Sequence, residues 1–283
     1  MLSAYLSHLA LGCRDLSAAD RFYREIVGLS PHERGRGWLR LGWGRGDHVL
    51  ELREGLPGLD HFGLEVREPR QLDELAARLE RAGVRTTGER PPGAHPPTLT
   101  FADPEGHRVE VHGRVDRSGE VVADGGRRPI RLHHLTLVTT AIVDLEDFYC
   151  RVVGFRVSDR MGEIFTWLRC NPEHHTLAAV VGDAPGLDHH AYEVAGWADF
   201  KTWGDELAAR NVPLIWGPGR HGPGNNLFVM FDDPEGNHVE LSAEMERFYD
   251  DRAEYRPRTW AVGPRTVNLW GPVADLRRMG PGG

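Results

Sequence analysis

The sequence predicts an α+β fold: four βαβββ units arranged as two duplicated domains. Three observations carry that expectation. Long peptides recur at nearly constant spacing, each copy reads strand, helix, strands twice over, and a polar Gly-rich stretch separates the copies. The recurrence comes first, because a period of this length decides how everything else is read. Phe101-Ala102-Asp103-Pro104-Glu105-Gly106-His107-Arg108-Val109-Glu110 returns as Phe231-Asp232-Asp233-Pro234-Glu235-Gly236-Asn237-His238-Val239-Glu240. Gly58-Leu59-Asp60-His61 returns as Gly186-Leu187-Asp188-His189, and His8-Leu9-Ala10-Leu11 as His134-Leu135-Thr136-Leu137. The offset grows from 126 (His8 to His134) through 128 (Gly58 to Gly186) to 130 (Phe101 to Phe231). The domains are therefore expected at residues 1–115 and 130–272, joined by the stretch from Arg114 to Arg128.

In chain order, each copy should open with a strand (Tyr5 to Gly12; Arg131 to Thr139) and continue with a helix. The helices run Asp15 to Val27, with Ala19, Phe22, Tyr23 and Ile26 on one face, and Asp144 to Val153, with Leu145, Phe148, Tyr149 and Val152. Each stops at a glycine, Gly28 or Gly154, where a left-handed cap is favoured. Short β-rich runs follow at Gly37 to Leu41, His48 to Arg53, Ile164 to Arg169 and Thr176 to Val181. The pattern then restarts with a strand (His61 to Val66; His189 to Val194) and a helix (Pro69 to Ala82; Ala198 to Arg210). Three strands close each copy, the last at His107 to His112 or His238 to Ser242. The tail from Glu244 carries Tyr255, Trp260 and Trp270 and should pack across the second copy, with disorder from about Arg278.

Composition narrows the function. A net charge of -8 argues against nucleic-acid binding, which needs clustered Lys and Arg. No apolar run approaches the roughly 18 residues of a membrane span, and no signal peptide is expected. The 3 cysteines are odd in number and lack metal spacing, as suits reduced thiols in the cytoplasm. The 15 histidines stand out, because neutral imidazole is the commonest metal ligand.

His134 and His189 each stand on the first strand of a unit, and Glu240 stands on the last strand of the fourth. Side chains alternate along strands, so His134 shares a face with Thr136, and His189 with Ala191. If the first strands line one cavity, two imidazoles and a carboxylate converge. Such a set suits Fe(II), or Mn(II), with open positions, better than a closed structural zinc. The Asp-Pro-x-Gly peptide itself reads as the turn before the last strand.

From residue 1 to about 272, and most clearly from Leu132 to Phe248, the chain resembles the two-domain type I extradiol catechol dioxygenases of the vicinal oxygen chelate superfamily. The resemblance rests on Leu132-His133-His134-Leu135-Thr136-Leu137, Gly154-Phe155-Arg156-Val157-Ser158-Asp159, Cys170-Asn171-Pro172-Glu173-His174-His175-Thr176, Asp188-His189-His190-Ala191-Tyr192-Glu193-Val194, Gly217-Pro218-Gly219-Arg220-His221-Gly222 and the Glu240 peptide, in that order. It implies two glyoxalase-like domains, metal ligands His134, His189 and Glu240, a catechol and O2 as substrates, and commonly a homo-oligomer. His133 and His190 would then point away from the metal. It also implies that His175 supplies the proton for O–O cleavage and that His221, on a Gly-Pro loop, orients the substrate oxygen.

Two positions depart from that family. Met230 stands ten residues before Glu240, where a hydrogen-bonding Tyr is usual; methionine offers only a weak sulfur acceptor. Trp216 stands where relatives acting on acidic catechols carry Arg. With Trp167 it suggests an apolar or aromatic substituent, unless both rings are simply core. The first copy keeps His8, His61 and Glu110 at the ligand positions, and Glu51 could add a fourth ligand as in the glyoxalases. That set reads as a relic of duplication or as a second metal site; it lacks the His-His-Thr and Gly-Arg-His peptides. Two other functions stay open: a glyoxalase-like metal-dependent isomerase or lyase, and a non-enzymatic protein that binds small molecules.

Overall fold

The computed structural model describes residues 1–43, 48–87, 98–115, 127–249 and 255–271. The expected disorder from Arg278 and most of the expected linker lie outside them. The chain forms two compact units, Leu2–Arg128 with Val152–Gly154, and Pro129–Arg151 with Phe155 onward.

The N-terminal unit runs β1 (Ala4–Cys13), α1 (Leu16–Glu25), β2 (Ser30–Gly35), β3 (Trp38–Gly42), β4 (His48–Glu54), β5 (Gly58–Val66), α2 (Arg70–Arg81), β6 (Thr98–Ala102) and β7 (Arg108–His112). Its seven strands are ordered β2-β3-β4-β1-β5-β7-β6. The second βαβββ unit shows two closing strands among the described residues, plus a single bridge between Thr87 and Thr100 where the third is expected.

The C-terminal unit runs β8 (Arg131–Thr139), α3 (Ile142–Asp147), β9 (Arg156–Met161), β10 (Phe165–Arg169), β11 (Leu177–Val181), β12 (Gly186–Glu193), α4 (Trp197–Ala209), β13 (Leu214–Arg220), β14 (Leu227–Asp232) and β15 (His238–Ala243). The tail adds β16 (Arg258–Trp260) and α5 (Pro264–Val267). The order is β13-β14-β15-β12-β8-β11-β10-β9-β16, so the tail does pack on this copy, pairing with β9.

Local chemistry explains the elements. Asp15 caps α1 by accepting from the Ala18 N–H at 2.9 Å, and Ala19, Phe22 and Tyr23 form its buried face. The helix expected to run unbroken to Val153 instead passes from α3 into a π-helix over Phe148–Val153. Gly28 (φ 81°) and Gly154 (φ 99°) take the left-handed conformation expected where these segments end. Two strands escape pattern reading. β2 is Ser30-Pro31-His32-Glu33-Arg34-Gly35, an exposed edge with no apolar alternation, and β9 is largely polar.

The Asp-Pro-Glu-Gly peptides are turns, as expected. Asp103 Oδ1 accepts from the Glu105 and His107 N–H groups at 3.0 and 2.9 Å. Asp233 Oδ1 accepts from Glu235 and Asn237 at 2.8 and 2.9 Å. Each turn fixes the start of the last strand and so the aim of the Glu that follows.

Candidate metal centre

Strand register places the site. In the C-terminal sheet Met230 pairs with Glu240, Glu240 with Ala191, and Ala191 with His134, which makes one row across β14, β15, β12 and β8. A second row runs Trp167, Ala178, Thr136, His189 across β10, β11, β8 and β12. Residues two apart share a face, so both rows look to the same side.

There the side chains converge. His134, His189 and Glu240 offer ligand atoms that all lie within 4.8 Å of one another. His134 Nε2 is 3.7 Å from Glu240 Oε1, and His189 Nε2 is 3.5 Å from Glu240 Oε2. Ligands about 2.1 Å from one ion, at angles between 90° and 120°, lie roughly 3.0 to 3.6 Å apart. The two Glu240 contacts, at 3.5 and 3.7 Å, stand close to that spacing. Glu240 is fully buried, and its Oε2 has no hydrogen-bond partner, which is what an oxygen awaiting a cation looks like.

The outer nitrogens of both imidazoles are held. His189 Nδ1 donates to Asp188 Oδ2 at 2.6 Å, and the His134 and His133 Nδ1 atoms lie 3.2 Å apart. Such partners fix ring orientation and tautomer. His133 stands outside the group of three converging donors, with its ring against that of His134. Burial lowers the His134 pKa well below its ordinary value, with neighbouring histidines adding to the effect. For His189 burial acts the same way, but the Asp188 hydrogen bond and the Glu240 charge outweigh it and raise the pKa.

A cleft lies over these three donors. His175, His221, Thr136, Trp167, Trp216 and Met230 all line it, so every C-terminal site residue expected from the sequence faces one space. Sequence reasoning missed Phe165, Pro223 and Val267, which also line it. Phe165 stacks on Trp167 with centroids 4.2 Å apart and could have been found by strand alternation. Val267 comes from the tail, and nothing local in the sequence marks it.

His175 heads a buried chain of groups. Its Nδ1 is 3.0 Å from His174 Nδ1, and His174 Nε2 is 3.1 Å from Asp159 Oδ2, off the line of a straight hydrogen bond. A carboxylate only accepts. With the His174 proton on Nε2, facing Asp159, His174 Nδ1 would accept and His175 Nδ1 would carry a proton. Its Nε2 lone pair is left free on the ligand side, where the His134 ring centroid lies 4.3 Å from that of His175. Burial first, then nearby histidines, lowers the His175 pKa well below the ordinary value, so the ring is neutral near pH 7. His221 is held alike: its Nδ1 donates to the Val267 carbonyl, and its Nε2 faces Glu240 Oε2 at 3.8 Å.

In the N-terminal unit, His8, His61 and Glu110 come together as expected. Glu51 does not join them as a fourth ligand. Its Oε2 accepts from Arg40 Nε at 2.7 Å, and Arg53 contacts its other oxygen. A third grouping, His133 with Glu173 and Glu193, already holds a cation, because Arg131 bridges the two carboxylates.

The Glyoxalase/Bleomycin resistance protein/Dioxygenase superfamily model matches residues 5–111 and 131–241, and the chain belongs to that family. Metapyrocatechase 2 of Cupriavidus necator is 30% identical over 193 residues, 61% of this chain and 60% of that protein, so the match spans less than two thirds of the relative. An iron-dependent extradiol dioxygenase of Rhodococcus jostii is 29% identical over 74% of this chain and 76% of its own. Among solved structures, the Mn(II)-bound glyoxalase from Novosphingobium aromaticivorans superposes with a TM-score of 0.86 at 27% identity, covering 97% of this chain and 93% of that one.

Proposed function

We propose that the C-terminal domain is an extradiol ring-cleaving dioxygenase that inserts both atoms of O2 into a catechol-type aromatic. The observation that carries this reading is the meeting of His134, His189 and Glu240 beneath a cleft that His175 and His221 also line. The dioxygenase relatives support it. An Fe(II) or Mn(II) ion held by the three ligands would supply open positions for two adjacent catechol oxygens and for O2. Of the two we propose iron, and metal analysis of the purified protein decides between them.

The chain's own groups do the rest. His221 Nε2 accepts a proton from a catechol hydroxyl brought to the ligands, while the Val267 carbonyl holds the ring in place. His175 Nε2 sits on the opposite flank as the second proton carrier; the His174–Asp159 chain fixes its tautomer. Trp167 with Phe165 on one side, and Trp216 on the other, line the cleft with aromatic surface and exclude water. Met230, 2% exposed and registered against Glu240, gives a soft apolar contact with no hydroxyl. Hydrogen bonding to the substrate oxygen thus falls to His221. The cleft favours a catechol with an apolar or aromatic substituent. No disulfide joins Cys13, Cys150 and Cys170, which suits a cytoplasmic enzyme.

The test is an aerobic assay of Fe(II)- or Mn(II)-loaded protein against a panel of small catechols, with His189→Ala as control. Stoichiometric oxygen uptake and a yellow ring-opened product are expected from the wild type alone. A loaded protein that consumes no oxygen with any catechol refutes the reading. The likeness to a Mn(II)-bound glyoxalase favours a second reading, isomerisation of an α-ketothiol adduct. Anaerobic turnover of such an adduct would select it.

A further inference from the structure

The N-terminal domain repeats the metal centre atom by atom. His8 Nε2 lies 3.5 Å from Glu110 Oε2, and His61 Nε2 lies 3.8 Å from Glu110 Oε1. The C-terminal distances are 3.7 and 3.5 Å. The outer nitrogens are anchored by the preceding residue in both copies. Ser7 Oγ is 3.0 Å from His8 Nδ1, as His133 is beside His134, and Asp60 Oδ2 is 2.7 Å from His61 Nδ1, as Asp188 is beside His189. The side chains of His8, His61 and Glu110 are each 2% exposed. Glu110 Oε1 is buried without a hydrogen-bond partner, as Glu240 Oε2 is.

We infer that His8, His61 and Glu110 form a second site for a divalent transition-metal ion, one that ties β1, β5 and β7 together and does not open a ring. The argument is electrostatic. Asp60 accepts from Arg108; when it also accepts from His61 Nδ1, the Nε2 lone pair of the neutral ring faces the Glu110 carboxylate. Two lone-pair groups that face each other in a buried site call for a cation between them. Two imidazoles and one carboxylate are a donor set of borderline hardness, suited to Mn(II), Fe(II) or Zn(II).

The residues beyond the ligands explain why this site is not a copy of the catalytic one. In the C-terminal sheet the row beside the ligands is Trp167, Ala178, Thr136, His189. Its N-terminal counterpart is Arg40, Glu51, Ala10, His61. Arg40 and Glu51 are 3% and 1% exposed and ion-paired at 2.7 Å. A buried charge pair thus occupies the row from which Trp167 faces the catechol cleft, and no aromatic ring is offered a seat. His48, whose ring centroid is 4.9 Å from that of His8, stands where His175 stands. It is a site residue that sequence comparison overlooked, because the His-His-Thr context is absent.

The probe is Mn(II), titrated into the metal-stripped full-length protein, with bound ion counted by equilibrium dialysis and elemental analysis. The wild type should bind two equivalents. Glu240→Gln, which leaves the N-terminal triad untouched, should keep one. Glu110→Gln should keep one, and the double variant none. Mn(II) should also raise the melting temperature of Glu240→Gln but not that of the double variant. Glu240→Gln that binds none overturns the inference, and so does a wild-type stoichiometry that Glu110→Gln leaves unchanged. Catechol turnover is not read in this experiment, so its outcome is independent of the dioxygenase reading.

Discussion

Asp159 is the place where stability and site geometry meet. Its side chain is fully buried. Oδ1 accepts from Arg258 Nε at 2.9 Å and from the Tyr255 hydroxyl at 3.1 Å, and Oδ2 accepts from Trp260 Nε1 at 2.7 Å, with His174 Nε2 beside it at 3.1 Å. One carboxylate thus ties the tail to β9 and fixes the chain that ends at His175. Burial alone would raise its pKa; the close His174 ring and the hydrogen bonds and charge of Arg258 outweigh this and hold it at about 2, against 3.8 ordinarily. A difference of nearly two units corresponds to about 2 kcal/mol of folding stability. The folded pKa lies below the unfolded one. The contribution is therefore present in full above the unfolded value and is lost as pH falls through the folded value. Asp159→Asn should lower the unfolding free energy by about 2 kcal/mol in urea melts. The deficit should be the same at pH 6 and pH 8. A loss below about 0.5 kcal/mol, or a deficit that grows as pH is lowered toward 4, would refute the reasoning.

Two further substitutions probe the C-terminal site. Asp188→Asn removes the charged acceptor that orients His189 and should weaken Mn(II) binding at this site about 10- to 100-fold; an unchanged titration curve would show that Asp188 does not act through the ligand. Trp216→Ala removes a ring that meets Phe228 at 4.5 Å and His221 at 5.4 Å between centroids. The loss of one aromatic contact should raise KM for an aryl-substituted catechol about 2- to 10-fold more than KM for catechol itself. Equal changes for both substrates would place Trp216 in the core and not in the substrate seat.

The duplication made the fold legible, because each strand could be read twice and a weak pattern in one copy was supported by the other. It also exposed the candidate ligands: His8, His61 and Glu110 recur as His134, His189 and Glu240, and strand register puts each set on one face. The edge strand β2 was hidden, because an exposed edge buries nothing and so shows no apolar period. The π-helix was hidden because apolar spacing fits either helix type over so short a run. Contacts made by distant segments, such as Val267 on His221 and Arg258 on Asp159, leave no local trace. Glu51 was misassigned for a related reason. Its position on the ligand face is correct, but Arg40, its partner on the neighbouring strand, is the charge it answers to.

Gly63 shows how the two copies seat their first histidine differently. It takes the place in its row that Ala191 takes in the other, between the first-strand His and the last-strand Glu. A Cβ built on Gly63 would lie 2.0 Å from His8 Cε1 and 2.3 Å from Nδ1, so the His8 ring lies directly over the bare backbone. In the C-terminal copy the Ala191 methyl fills that space, and His134 keeps its place beside it. Gly63→Ala should therefore drive the His8 ring off its seat, break its contact with Ser7, and cost about 1 to 3 kcal/mol of stability through overpacking. A ring pushed off Gly63 draws Nε2 away from its present position beside Glu110. One of the two Mn(II) equivalents should be lost while the other titrates as in the wild type. If Gly63→Ala still binds two equivalents with wild-type affinity, His8 is not a ligand.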